Sequence, residues 1–392
     1  MSSEETSATV LTSDASQAST TTKSNPSARK TSNRRSFLKR SMVAGVATAG
    51  AGLLARGVPA FAATSSSSPI TKGDVAILRF LAAAELIESD LWTQYAELGG
   101  LTPGQLPVET APFTPMNTYQ AALMNLDPDG PQYISSNTND EISHAEFLNA
   151  YLISKGAQPV DLDAFRTLPS SQADGAQQIG RLTNIMNLTV DTSWYTRYRS
   201  SENPDFGATF PQAIQLVNVT GIPRNNSDFG PTNHVQAIAN TAAFHFGTIE
   251  QGGSTLYSAM AQKARNLEVL RIVVSIGGDE VAHFLEWVDF AGNGVQPTVA
   301  PFTDPVSGLT FPNFDATVNP SLQTNLIFPV PCEFISPNLP RCAVIRPTSP
   351  KGIATGVVSF LNAMNLFDGQ PPEFFRVLKV LADAADAAQR GF

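Results

Sequence analysis

The chain of 392 residues carries 34 acidic and 25 basic side chains, a net charge of −9, with 42% hydrophobic and 15% charged positions. That supplies enough apolar material for a substantial core. The acidic balance argues against polyanionic partners, so neither nucleic-acid binding nor attachment to an anionic membrane surface is expected.

Met1–Ser32 is Ser/Thr-rich without periodicity and reads as disordered. Asn33–Lys39 then places Arg34 and Arg35 ahead of Phe37, Leu38 and Lys39, followed by a modestly apolar run from Met42 to Leu54 and a small-residue site ending at Ala62. Basic, apolar and A-x-A segments in that order predict an export signal, too short in its apolar part to span a bilayer comfortably. The paired arginines resemble a Tat signal, which carries proteins already folded. The expectation is a periplasmic or secreted protein with no stable membrane anchor after cleavage. Met1–Ala62 holds eight basic and three acidic residues, which leaves 17 basic against 31 acidic residues, near −14, in the remainder.

From Gly73 to Gly100 apolar residues recur at helical spacing and end in a double glycine, predicting one long helix. A short helix is expected over Thr118–Met124 and a second long one over Pro131–Lys155, stopped by Gly156 and Pro159. Residues 157–231 read as a long connection with helical patches at Gly180–Thr196 and Phe210–Val219. Thr232 to about Lys263 is helical again, and Asn266 caps a fourth long helix reaching Phe290. A short link between the third and fourth helices and a long one between the second and third give an all-α core: a four-helix bundle, residues 63–291, with a long crossover. From Gly292 to Pro350 prolines recur, and "NLIFPV" and "CAVIRP" suggest short extended pieces. Cys332 and Cys342 are expected to close a short loop as a disulfide in an oxidising compartment. From Gly352 helical patterning returns in two pieces broken at "DGQPPE", so residues 292–392 form an elaboration packed on the bundle.

Two segments carry the chemistry. "NDEISHAEF" and "GDEVAHFLEWV" each place Asp, Glu and His in one arrangement: Asp140, Glu141 and His144, then Asp279, Glu280 and His283. One Glu-x-x-His pair is usually a surface contact, but finding it before two of four histidines is on the order of one in a hundred by chance. Three residues along a helix bring a carboxylate and an imidazole onto one face, within reach of a single ion. Two ions side by side need further anions, one Glu from each remaining long helix. Glu250 is the lone acidic residue between Thr232 and Gln262. Glu85 sits in the more apolar part of its helix, whereas Glu88 begins a polar run. The predicted metal set is Glu85, Glu141, His144, Glu250, Glu280 and His283.

In this E, ExxH, E, ExxH order the chain resembles the ferritin-like di-metal carboxylate superfamily over about Gly73–Phe290. It is similar in particular to exported proteins with a ferritin-like domain, akin to plant desiccation-related and fungal stress-response proteins. The resemblance implies a dinuclear Fe or Mn centre, with Glu85 and His144 on one ion, Glu250 and His283 on the other, and Glu141 and Glu280 bridging. It also implies that Asp279 holds His144 and Asp140 holds His283, fixing each tautomer. Two functions follow: an oxidoreductase acting on O2 or hydrogen peroxide in stress protection, or a non-catalytic stress or desiccation-related scaffold with a structural metal site. The long connection and the C-terminal elaboration argue against a storage cage, while a smaller homo-oligomer is compatible. Tyr95, Tyr151 and Tyr257 lie near the ligand-bearing faces; His234 and His245 read as a loop residue and a packed or surface residue.

Overall fold

The computed structural model describes residues 69–102, 114–197, 211–315, 329–330, 335–343 and 350–391. The export-signal segment and Cys332 lie outside the described residues, and with them the expected signal and disulfide. Residues Ser66–Phe392 form one compact unit.

The long helices are α1 (Lys72–Gly99), α3 (Gly130–Ser154), α5 (Thr232–Ala261) and α6 (Leu267–Asn293), with the short α2 (Thr118–Met124) between the first two. Their starts are chemically marked. Thr71 Oγ1 accepts from the Asp74 amide at 3.1 Å while Asp74 Oδ2 accepts from the Thr71 amide at 3.0 Å, a reciprocal cap. Asp74 Oδ1 also takes the amide of Arg265 at 2.8 Å, tying the start of α1 to the tight link between α5 and α6. Asn266 caps α6 as expected, accepting from Glu268 N at 2.8 Å. Helices α1 and α3 pack as one pair and α5 and α6 as another. Helix α5 is buried nearly all round, which places it at the centre.

The connection from α3 to α5 departs from the expected helical patches. Its first patch contains β1 (Leu188–Val190) and one turn of helix, α4 (Trp194–Arg197); its second contains β2 (Leu216–Val219). Leu188 pairs with Val219 and Val190 with Leu216 in an antiparallel ribbon. Leu188 and Val190 are buried while Thr189 between them is half-buried, a period of two that competes with the helical reading in so short a run. The connection is pinned to α1 by Asp90, whose Oδ2 accepts from the amides of Leu182 (3.0 Å) and Thr183 (2.9 Å) and whose Oδ1 meets Arg166 at 2.7 Å.

Beyond α6 come two small hairpins, β3 (Phe302–Thr303) with β4 (Thr310–Phe311), and β5 (Pro329–Val330) with β6 (Cys342–Ala343). Helices α7 (Ile353–Ala363) and α8 (Pro372–Ala387) follow. Helix α8 lies on α1, and α7 packs on α8 and α5. The α8 side chain Asp386 caps α7, accepting the amides of Ala354 and Thr355 at 3.0 Å each. Lys263 at the end of α5 donates to the carbonyl of Asp386 at 2.7 Å.

Candidate metal centre

The six predicted residues come from the middle of the four long helices and meet in the core. Glu85, Glu141 and Glu280 are fully buried, Glu250 is 1% exposed, His283 4% and His144 8%. One oxygen or nitrogen from each of Glu85, Glu141, His144 and Glu280 falls in a group within 4.8 Å of one another, and Glu141, Glu250 and His283 form a second such group. Glu141 is common to both: its Oε2 lies 3.4 Å from His144 Nδ1 and its Oε1 3.1 Å from His283 Nδ1. Glu85 Oε2 stands 3.4 Å from His144 Nδ1, and Glu250 Oε2 3.4 Å from His283 Nδ1. Glu280 joins the His144 group, 3.8 Å from Nδ1, rather than lying between the two groups.

Both imidazoles turn Nδ1 inward and Nε2 outward. His144 Nε2 meets Asp279 at 3.2 Å and His283 Nε2 meets Asp140 at 3.4 Å, each aspartate coming from the facing helix. With Nε2–H donated to a carboxylate, Nδ1 keeps its lone pair for an ion. Asn137, one turn before Glu141, donates to Glu141 Oε1 at 2.9 Å and Glu250 Oε1 at 3.2 Å, and its own oxygen accepts from Trp287 Nε1 at 2.7 Å. The indole thus fixes which end of the amide faces the carboxylates. Tyr257 donates its hydroxyl to Glu85 Oε1. A Cβ added at Gly253 would stand 1.9 Å from Glu280 Oε2, so the absence of a side chain there makes room for that carboxylate.

Without cations the cluster is electrostatically costly. Burial raises Glu85 from 4.5 to about 8, and burial together with the charge of Glu141 raises Glu250 and, further, Glu280. Burial also acts to raise Glu141, but the two imidazoles outweigh it and hold that carboxyl at about 2. For His144 burial is outweighed by Asp279, Glu141 and Glu85, which push the imidazole up to about 12. Both Glu280 oxygens are buried without a hydrogen bond, while Glu85 Oε2, Glu250 Oε2 and His283 Nδ1 have imidazole–carboxylate approaches of 3.1–3.4 Å but no aligned hydrogen bond. Buried acceptors left in that state cost several kcal/mol. The two groups offer a mixed carboxylate and imidazole donor set that could hold metal, and oxygen and nitrogen donors of this kind are compatible with Fe or Mn.

Other candidates stay outside the two groups. Glu88 is half-buried one turn beyond Glu85; burial and then the charges of Glu141, Glu85 and Glu250 drive it well above the usual carboxylate range. Tyr151 donates to Glu268 at 3.0 Å, away from the six residues. Tyr95 pairs with His245 at 2.7 Å. His234 is not a loop residue: it sits buried in the first turn of α5 between Asp304 (3.0 Å) and Asp228 (3.3 Å). Asn137 and Trp287 were not expected at the site; Asn137 lies within the polar run Ser135–Asp140, so nothing in its sequence surroundings marks it.

Four long helices, a long second-to-third crossover and a buried carboxylate and histidine cluster at mid-bundle define a ferritin-like protein that could bind metal. The family model described as a ferritin-like domain matches residues 73–285, more than half of the chain, which belongs to that family. No curated protein and no solved structure matches it.

Proposed function

We propose that this is an exported ferritin-like protein whose bundle holds a dinuclear Fe or Mn centre and works as an oxidoreductase on O2 or hydrogen peroxide. The observation that carries the reading is the set of buried carboxylate oxygens and the imidazole nitrogen that lack aligned hydrogen bonds and converge in two groups sharing Glu141. Glu85, His144 and Glu280 would hold one ion, Glu250 and His283 the other, with Glu141 between them. Bound there, a redox-active pair supplies two-electron exchange with an O–O bond.

The remaining groups set that pair up. Asp279 and Asp140 hold the imidazole Nε2 protons and keep both Nδ1 atoms aimed inward. Asn137 and Tyr257 orient Glu141, Glu250 and Glu85 by donating to them. The aspartate side chains are 45% and 42% exposed, so the centre lies about one imidazole below the surface at that end. Arg34 and Arg35 support export by the Tat route, which lets the fold load its ions before leaving the cytoplasm. Among the described residues no helix is long and apolar enough to cross a membrane.

The test is elemental analysis of protein recovered after its own export, followed by peroxide-consumption assays on the same sample. Two Fe or Mn per chain with rapid peroxide loss is the expected result. Stoichiometric metal without turnover would move the assignment to a structural centre in a stress-related scaffold, and absence of both metals would overturn it.

A further inference from the structure

We infer that Trp287, Trp92 and Tyr95 form a one-electron relay running from the carboxylate cluster to a buried Tyr95–His245 pair, where the phenol yields an electron inward and its proton to the imidazole. The inference rests on the proposed metal centre for its oxidant, but the path belongs to the chain itself.

At the near end, Trp287 reaches the ligand set through Asn137, the amide that touches both Glu141 and Glu250. In the middle, Trp287 stacks on Trp92 with ring centroids 5.3 Å apart and planes at 25°, and Phe246 packs against both at 4.6 and 4.8 Å. Trp92 leads on to Tyr95 at 5.9 Å. Rings at these separations are in contact. At the far end the Tyr95 hydroxyl lies 2.7 Å from His245 Nδ1. Trp92, Trp287, Tyr95 and His245 are all fully buried, so charge on the path is kept from solvent.

Tight aromatic packing accounts for the tryptophans and Phe246, but it does not account for His245. That imidazole is fully buried with Nε2 lacking a hydrogen-bond partner, an arrangement that costs stability and that phenylalanine in place of both Tyr95 and His245 would avoid altogether. Burial drives its pKa down to about 3, so it is neutral and Nδ1 is free to accept. A phenol that loses an electron becomes strongly acidic, and a base within hydrogen-bond reach takes the proton as the electron leaves. In balance, Tyr95–OH and neutral His245 become a phenoxyl radical and an imidazolium. One electron leaves Tyr95 through Trp92 and Trp287 towards the ligand set, where a bound Fe or Mn pair already oxidised by O2 or peroxide would supply the one-equivalent acceptor.

The test uses the full chain in two arms. In the first, protein loaded with Fe(II) is mixed with hydrogen peroxide, frozen and read by electron paramagnetic resonance, with iron content measured in parallel. A tyrosyl signal is expected that falls at least about tenfold in Tyr95→Phe and appears about tenfold more slowly in Trp92→Phe, at unchanged iron content. In the second arm, metal-free protein is photoionised at its indoles by a laser flash. This is done in a Tyr195→Phe background, because Trp194 lies 5.8 Å from that ring. Indole radical should convert to phenoxyl, and Tyr95→Phe should abolish the conversion while His245→Gln slows it. A signal that survives Tyr95→Phe and vanishes in Tyr257→Phe would overturn the relay, as would metal-free protein whose indole radical never reaches Tyr95. Light-driven transfer to Tyr95 in protein that binds no iron would uphold the relay and sink the metal reading instead.

Discussion

Asp279 and His144 show how one exposed carboxylate controls a buried nitrogen. The imidazole holds Asp279 below the usual carboxylate range, and the aspartate in turn fixes the Nε2 proton. Asp279→Asn keeps the shape and removes the charge, so the affinity for Mn(II) should fall about 10–100-fold. Competition with a coloured chelator measures this, and an unchanged affinity would assign Asp279 to the surface alone. The two Glu-x-x-His pairs and their aspartates were legible in the sequence because helical spacing alone places them on one face. Glu250 was legible through its isolation among apolar neighbours. That Glu280 groups with His144 was not legible, because its place depends on the room left by Gly253 on another helix. Asn137 and Trp287 were hidden for the same reason: their roles arise only when α3, α5 and α6 meet.

The first part of the connection between α3 and α5 is anchored on α1. Asp90 on α1 collects two backbone amides, the Thr183 hydroxyl and the Arg166 guanidinium. Asp90→Ala would strand these donors, and a loss of about 3–5 kcal/mol is expected for removing one partner of such a buried charged set. Urea denaturation of the metal-free chain should show it as a lower midpoint, and a shift below about 0.5 kcal/mol would mean that the connection docks without that anchor. Each long helix was readable from its period and its breakers: α2 falls on the expected Thr118–Met124, and Asn266 caps α6. The connection was not readable, since three- and four-residue strands present too few positions to separate a period of two from one of 3.6.

The unit as a whole carries a pH signature. In the metal-free chain Glu85 titrates near 8 rather than 4.5, so the native state binds more protons than the unfolded one, and Glu85 costs stability as pH rises through that interval. His144, raised from 6.5 to about 12, stabilises the fold fully below 6.5 and loses that contribution on the way up. Both trends weaken the metal-free protein towards alkaline pH. Ions bound at these carboxyls would replace those protons, so their binding would strengthen over the same interval. The rise in melting temperature on adding Mn(II) should therefore grow as pH is taken from 4.5 to about 8. Thermal scans with and without the ion check this, and a gain that is flat or shrinks with pH would separate the ion from these carboxyls.

The clasp between α8 and α1 also dictates when this molecule can be finished. Lys72 and Pro372 open helices that touch, yet they lie 300 positions apart in the chain. During synthesis α1 leaves the ribosome long before α8 exists, with one flank still bare. Final closure waits until translation has delivered α8, and a chaperone able to shield α1 in that interval has a defined task.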